Sequence, residues 1–324
     1  MSNLVTRYIL ILSSCFFYTL IVFSCVSPSE YMGAKRLKWT NTECGKKLYL
    51  SQNLVHPDIE AYVSDNKIEE VKLIGRKYID PESDLVFNES RFLQHLEESF
   101  PEVNATGAVM LAWEGGHYEN LAQEKDSVAL KRSSEALIAV IESARSVRPN
   151  LKYGYYAIPG RRFWNRDAQW KEQTGHLEKL TNASDVLFPS LYLLYSDQQV
   201  SKNDNKEYAE DNVIRALALG SKYEIPVYPV FWHRYATGNK KLGLKLIPMD
   251  EAREHLENIL AADYFGQTPA GLVWWGADRY FFRIKSPGIV NEIAEGEEFE
   301  DYFGELFFNY LGMFNDALTK ACQK

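Results

Sequence analysis

The chain has 324 residues, 46% of them hydrophobic and 14% aromatic, enough apolar material for one large core, which excludes a disordered or fibrous protein. Its formal net charge of −8 argues against general affinity for nucleic acid. It does not exclude an acidic polysaccharide, because the local field of a groove outweighs the total charge.

The first segment differs from the rest. Tyr8 to Ser24 is apolar and almost uncharged, follows Arg7 and gives way to Cys25-Val-Ser-Pro-Ser-Glu30, the pattern of a secretory leader over residues 1–27. Two alternatives stand beside it. The run is near the lower limit for spanning a hydrocarbon core of about 30 Å, so a retained membrane anchor is one. A bacterial lipoprotein leader acylated at Cys25 is the other, although Phe23 fits it poorly. With Cys15 and Cys25 assigned to the leader, Cys44 and Cys322 remain. In an oxidising compartment two cysteines near opposite ends of a chain invite a disulfide. Asn88, Asn104 and Asn182 head acceptor sequences for N-glycosylation if the host is eukaryotic. Neither the cysteines nor any other motif offers a metal site, and no Gly-rich phosphate loop, nucleophile elbow or dinucleotide fingerprint is present, so no cofactor is expected.

Beyond the leader, short apolar runs alternate with amphipathic ones. Val71 to Ile74, Gly107 to Trp113, Lys152 to Ile158, Asp185 to Tyr192, Ile225 to Phe231 and Gly271 to Trp275 read as strands, and the Leu54 to Tyr62 region is a further candidate. Helical periodicity covers Glu89 to Phe100, Ser127 to Ser146, Glu207 to Tyr223, Asp250 to Ala262 and Phe303 to Thr319. Alternating β and α predicts a parallel sheet, open or closed, with helices outside, and the length favours a closed eight-fold, TIM-like α/β barrel with irregular members over residues 35–324 as a single domain. A barrel brings its first and last elements together, so pairing of Cys44 with Cys322 is geometrically reasonable.

In such barrels the residues at the carboxyl ends of strands build the site. Gly107 to Trp113 ends on Glu114, the first catalytic candidate, and an apolar setting beside Trp113 raises a carboxyl pKa as a general acid requires. A structural salt bridge with an arginine at the mouth is its alternative role. Other strand ends supply Tyr155 and Tyr156, Tyr192, His233 and Tyr235, then Trp275 and Asp278. Carboxylates for proton transfer and aromatic rings for pyranose faces make a sugar site, whereas packing within the mouth is the alternative for each ring. Arg161, Arg162, Arg166, His233, Arg234, Lys240, Lys241, Arg279 and Arg283 fall in the loops after strands, which suits a polyanionic glycan as well as ordinary solvated surface.

The order of these motifs resembles the animal hyaluronidase family of glycoside hydrolases over about residues 37 to 320. The matching stretches are Asn88-Glu-Ser before the helix with His95, Trp113-Glu114, Gly154-Tyr-Tyr-Ala-Ile-Pro159, Phe188-Pro-Ser-Leu-Tyr192, Pro226-Val-Tyr-Pro229 through Tyr235, Pro248-Met-Asp250 and Gly271-Leu-Val-Trp-Trp275. Cys44 resembles the family's early cysteine that joins the C-terminal part. The resemblance implies a distorted α/β barrel that cuts hyaluronan with retention and without a metal, the substrate's acetamido oxygen attacking the anomeric carbon while a glutamate protonates the leaving group. It implies that Glu114 is that acid/base, that Tyr235 helps hold the acetamido group, that Tyr192 is a site tyrosine, and that Trp275 lies in the matching aromatic strand end. Trp113, Tyr156, His233 and Arg161 complete the expected substrate contacts.

One departure matters most. The family's strand ends Asp-Trp-Glu, whereas this chain reads Ala112-Trp113-Glu114 followed by Gly115-Gly-His-Tyr118. Asp278 is the expected replacement carboxylate, with Glu119 and Asp197 as weaker candidates. The expected function is a secreted endo-glycosidase acting on an acidic polysaccharide such as hyaluronan or chondroitin. The alternatives are a catalytically disabled glycan-binding barrel and a bacterial lipoprotein glycosidase for another sulfated or uronic polysaccharide. Contact with a membrane is expected only if the leader is kept or Cys25 is lipidated.

Overall fold

A computed structural model describes residues 39, 44–52, 54, 56–121, 128–172 and 174–323. The leader, with Cys15 and Cys25, lies outside the described residues, as does Ser127. Six strands are present among the described residues: β1 Lys47–Ser51, β2 Glu69–Gly75, β3 Gly107–Ala112, β4 Leu151–Tyr155, β5 Val230–Trp232 and β6 Gly271–Trp275. They form one sheet in the order β4-β3-β2-β1-β6-β5, every pair parallel. Parallel neighbours require crossovers, and helices supply them, among them Glu89–Ser99, Val128–Val147, Lys202–Tyr223 and Met249–Ala261.

The two edges of the sheet are tied through an irregular segment. Tyr156, just past β4, bridges Phe188, while Leu187 bridges Val227 and Ser190 bridges Val230 of β5, all in parallel sense. Asp185 to Tyr192 therefore occupies a strand's place without forming a regular strand, because Pro189 has no N–H to give a ladder. Pro226 and Pro229 likewise shorten the expected Ile225 to Phe231 strand to Val230–Trp232. Gly154 allows the close approach, since a Cβ there would meet the Val186 carbonyl oxygen at 2.1 Å. The parallel α/β arrangement is as the alternation of elements implies, with six regular strands and this irregular member among the described residues where eight were expected.

Two further expectations are corrected. The Leu54 to Tyr62 region is no strand; His56 caps a helix over Pro57–Asp65, with Pro57 pre-set for its first turn. The missing strand is β1, whose core of only Leu48, Tyr49 and Leu50 is too short to stand out in sequence.

Side chains alternate along each strand between two apolar layers. Tyr49, Val71, Ala108, Met110, Phe188, Tyr192, Val230, Trp232 and Val273 pack inside the curved sheet. Leu48, Leu50, Ile74, Val109, Leu111, Tyr153, Phe231 and Trp274 face the helices. The long helix Phe299–Ala321 covers the β6 side, with Phe307 stacked on Trp274 at 5.0 Å. Its end is fixed by the Cys44–Cys322 disulfide, across a Cα–Cα distance of 5.4 Å. No described helix is long and apolar enough to cross a membrane.

Candidate active site

The alternation along β3 decides where Glu114 points. Ala108 and Met110 lie in the inner layer, Val109, Leu111 and Trp113 in the outer one, so Ala112 and Glu114 belong to the inner face. Trp113 locks this phase. Its indole is 0% exposed, and Nε1 donates to Asp80 Oδ2 at 3.0 Å. Asp80 also accepts from the backbone N–H groups of Asp84 and Leu85, both at 3.1 Å. Burial alone would raise Asp80, but these donors win and hold its carboxyl below the usual range. Trp113, expected against substrate, is thus a buried anchor that aims its neighbour.

Glu114 opens to solvent at the mouth, yet the walls around it withhold water, and desolvation raises its pKa. Arg161 and Arg76 oppose that rise. No described carboxylate is among the groups that shift it.

The registers explain the neighbours. Gly75 pairs with Ala112, which brings Arg76 beside the end of β3; Leu111 pairs with Tyr155, which sets Tyr156 on the other side. Tyr118, from the helix Gly116–Leu121, donates to the Tyr156 carbonyl at 2.7 Å. The Tyr156 hydroxyl shares a hydrogen bond with Ser190 Oγ at 3.1 Å. Arg161 Nη1 donates to the same Oγ at 2.8 Å, and its guanidinium lies 5.2 Å from the centre of the Tyr192 ring. Tyr192 stacks with Trp275 at 5.4 Å, and Trp275 meets Trp232 edge-on at 4.9 Å. Burial raises the Tyr118, Tyr156 and Tyr192 hydroxyls, keeping them neutral donors. Glu114, Arg161, Tyr156, Tyr192 and Trp275 therefore meet in one aromatic-walled bowl. The Trp232 indole N–H, buried under it, has no hydrogen-bond partner.

The remaining expected residues gather elsewhere. Trp275 points inward and Trp274 outward, and the chain then turns into the helix Asp278–Arg283, whose first side chain drops into the interior. Asp278 is 2% exposed, with Oδ1 accepting from Arg234 Nε at 2.6 Å and Oδ2 lying 3.1 Å from His233 Nε2. Burial would raise it, but His233 and Arg234 hold it far below the usual carboxylate range. The Trp274 indole donates to His233 Nδ1 at 2.9 Å, so the ring's proton sits on Nε2, toward Asp278. Tyr235 packs in the outer layer, where burial and a hydrogen bond to Glu251 raise its hydroxyl. Asp278, His233 and Tyr235 are thus corrected from site residues to interior ones. Asp197 accepts from Asn205 Nδ2 at 2.9 Å, and Glu119 is exposed; neither acts on Glu114.

Arg76, Tyr118, Ser190 and Trp232 escaped the sequence reading. Arg76 directly follows a strand end, and counting by twos from Val230 finds Trp232. Tyr118 and Ser190 carry no comparable signal. Among the described residues, no group of three His, Cys, Asp or Glu side chains is arranged to hold a metal.

No protein-family profile and no curated protein sequence matches the chain. Solved structures do. Bee venom hyaluronidase superimposes with a TM-score of 0.56 and 16% identity, over 84% of this chain and 99% of the other. A second structure of bee venom hyaluronidase, in complex with a hyaluronic acid tetramer, gives 0.52 and 14% over 76% and 94%. The chain therefore has the fold of a hyaluronidase, an α/β barrel with its candidate site at the carboxyl ends of the strands.

Proposed function

We propose that the protein is a secreted endo-glycosidase of hyaluronidase type that cleaves an acidic polysaccharide, with Glu114 as general acid/base. The observation that carries this reading is the inward-facing Glu114 at the end of β3, opening to solvent with a raised pKa. A carboxyl that keeps its proton above the ordinary glutamate range can deliver it to a glycosidic oxygen. Tyr192 and Trp275 offer stacked rings for a pyranose face, and the Tyr156 hydroxyl, held by Ser190, is a polar group beside them for a ring substituent. The complex of bee venom hyaluronidase with a hyaluronic acid tetramer supports a polymer of that class as substrate. Secretion through residues 1–27 agrees with the Cys44–Cys322 disulfide, which belongs in an oxidising compartment.

A second reading, a glycan-binding barrel without turnover, is favoured by one observation: Ala112 puts a methyl where a second acid would sit, and no described carboxylate acts on Glu114. Reducing-end release from hyaluronan, chondroitin and sulfated fucans by wild type and Glu114→Gln decides between them. Cleavage by wild type and loss in the variant establishes the enzyme; equal cleavage by both removes Glu114 from the mechanism. Binding without cleavage by either supports the second reading.

A further inference from the structure

Glu114 stands between two guanidinium groups that arrive from opposite sides. Arg76 opens the helix Arg76–Ile79 after β2, and its Nη1 lies 3.5 Å from where a Cβ on Gly115 would sit. Arg161 comes from the loop after β4 and is braced by Ser190 Oγ and, at 3.4 Å, by the Tyr192 carbonyl. Neither arginine forms an ion pair with a described carboxylate within 4.0 Å, although Arg145, Arg148, Arg166, Arg234 and Arg253 all do. The other titratable groups that face Glu114 are Tyr118 from its helix, Tyr156 from the β4 end and Tyr192 from the bridging segment, all neutral hydroxyls. Ala112 adds no charge. The bowl thus sets one carboxylate against two cations, Arg161 braced and Arg76 exposed.

That imbalance opposes glycoside cleavage in two ways. Positive charge develops on the sugar ring in the transition state, and guanidiniums nearby destabilise it. The same cations offset part of the rise that burial gives Glu114, the group that must deliver the proton. An anion docked on the arginines relieves both effects. Arginine suits the task, because its planar fork receives a carboxylate or sulfate through two parallel hydrogen bonds.

We propose that Arg76 and Arg161 together bind the carboxylate or sulfate of the sugar unit held in the bowl, so that the substrate supplies the negative charge Ala112 does not. The pair makes the site selective for an anionic unit at the scissile bond itself, not merely along the polymer. The kinetic part of this inference rests on Glu114 being the acid; the binding part does not.

The test uses the full chain carrying Glu114→Gln, which removes turnover, and titration calorimetry at fixed salt. The probes are a hyaluronan hexasaccharide, its carboxyl-reduced form, and the carboxyl-reduced form with added O-sulfates. The intact hexasaccharide is expected to bind at least about tenfold more tightly than the carboxyl-reduced form. Adding Arg76→Gln or Arg161→Gln is expected to bring that ratio toward one. Recovery of affinity by the sulfated probe assigns the pair to sulfate as well as carboxylate; no recovery assigns it to carboxylate alone. Because Arg161 also braces Ser190, Arg161→Lys is run beside it, keeping the charge while losing the fork; its ratio is expected to fall between that of the parent protein and that of Arg161→Gln. An unchanged ratio in both glutamine variants, or no binding of any probe, overturns the proposal.

In the otherwise unaltered enzyme, the basic limb of kcat, which reports Glu114 in the enzyme–substrate complex, is expected at higher pH for the intact polymer than for the carboxyl-reduced one. Loss of turnover in Glu114→Gln with discrimination unaffected by the arginine variants would leave the acid standing and remove the pair. Normal turnover in Glu114→Gln with discrimination lost in the arginine variants would do the reverse.

Discussion

The Trp113 indole and the Asp80 carboxylate, 33 positions apart in sequence, are joined by a buried hydrogen bond of 3.0 Å directly behind the candidate acid. Since successive residues of a strand point to opposite faces, fixing Trp113 outward fixes Glu114 inward. Asp80→Ala removes a charged acceptor, costing about 1.5–3 kcal/mol of stability. It also frees the end of β3. The expected kinetic signature is a lower kcat with KM nearly unchanged; a variant with wild-type kcat would show that Trp113 packing alone aims the acid.

Replacing Glu114 by Gln keeps its shape and removes its proton. Turnover is expected to drop by about 10²–10⁴-fold, the usual worth of general acid catalysis, with glycan affinity retained. Wild-type activity should fall as pH rises through the raised pKa of Glu114, because only the protonated form acts as acid, giving an acidic optimum. A pH–rate profile measures this directly, and a basic limb that persists unchanged in Glu114→Gln would assign it to another group.

Asp278 makes a separate prediction. Its folded pKa is depressed, so its contribution to stability is complete above the unfolded value of about 3.9 and is lost progressively as pH falls below it. Asp278→Asn leaves Arg234 and His233 without their buried anion and is expected to cost about 3–5 kcal/mol. Denaturant unfolding at pH 7 and pH 3 checks both parts: the gap between wild type and variant should shrink at the lower pH.

The Cys44–Cys322 bond closes nearly the whole domain, with a sequence separation of 278. Cys44→Ser is expected to lose about 2–4 kcal/mol, mainly by freeing the unfolded chain. Thermal unfolding of wild type with and without reductant should reproduce the difference.

Gly154→Ala tests the join between the sheet edges. The added methyl meets the Val186 backbone oxygen, which cannot rotate away, so a loss of about 1–3 kcal/mol is expected, together with reduced activity because Tyr156 and Ser190 flank the site. Wild-type stability in the Gly154→Ala variant would mean that the 184–192 segment gives way freely.

Alternating apolar and amphipathic runs determined the parallel α/β class, because short continuous apolar runs and the 3.6-residue helical period are written locally in the side chains. They also determined Glu114, since a continuous apolar strand ending on a carboxylate needs no partner to be seen. Strand-end counting put Tyr156, Tyr192 and Trp275 beside Glu114, where the structure also brings them, but it gave Asp278 and Trp113 the same standing. Only the tertiary structure separated them. Whether a strand-end residue faces the bowl or the helices depends on register, on the turn that follows and on which distant charge awaits it. Asp278 met Arg234 and His233 in the interior, while Arg76 and Arg161 met Glu114 at the mouth. Electrostatic energy depends on distances through space between segments remote in sequence, and those exist only once the barrel has formed.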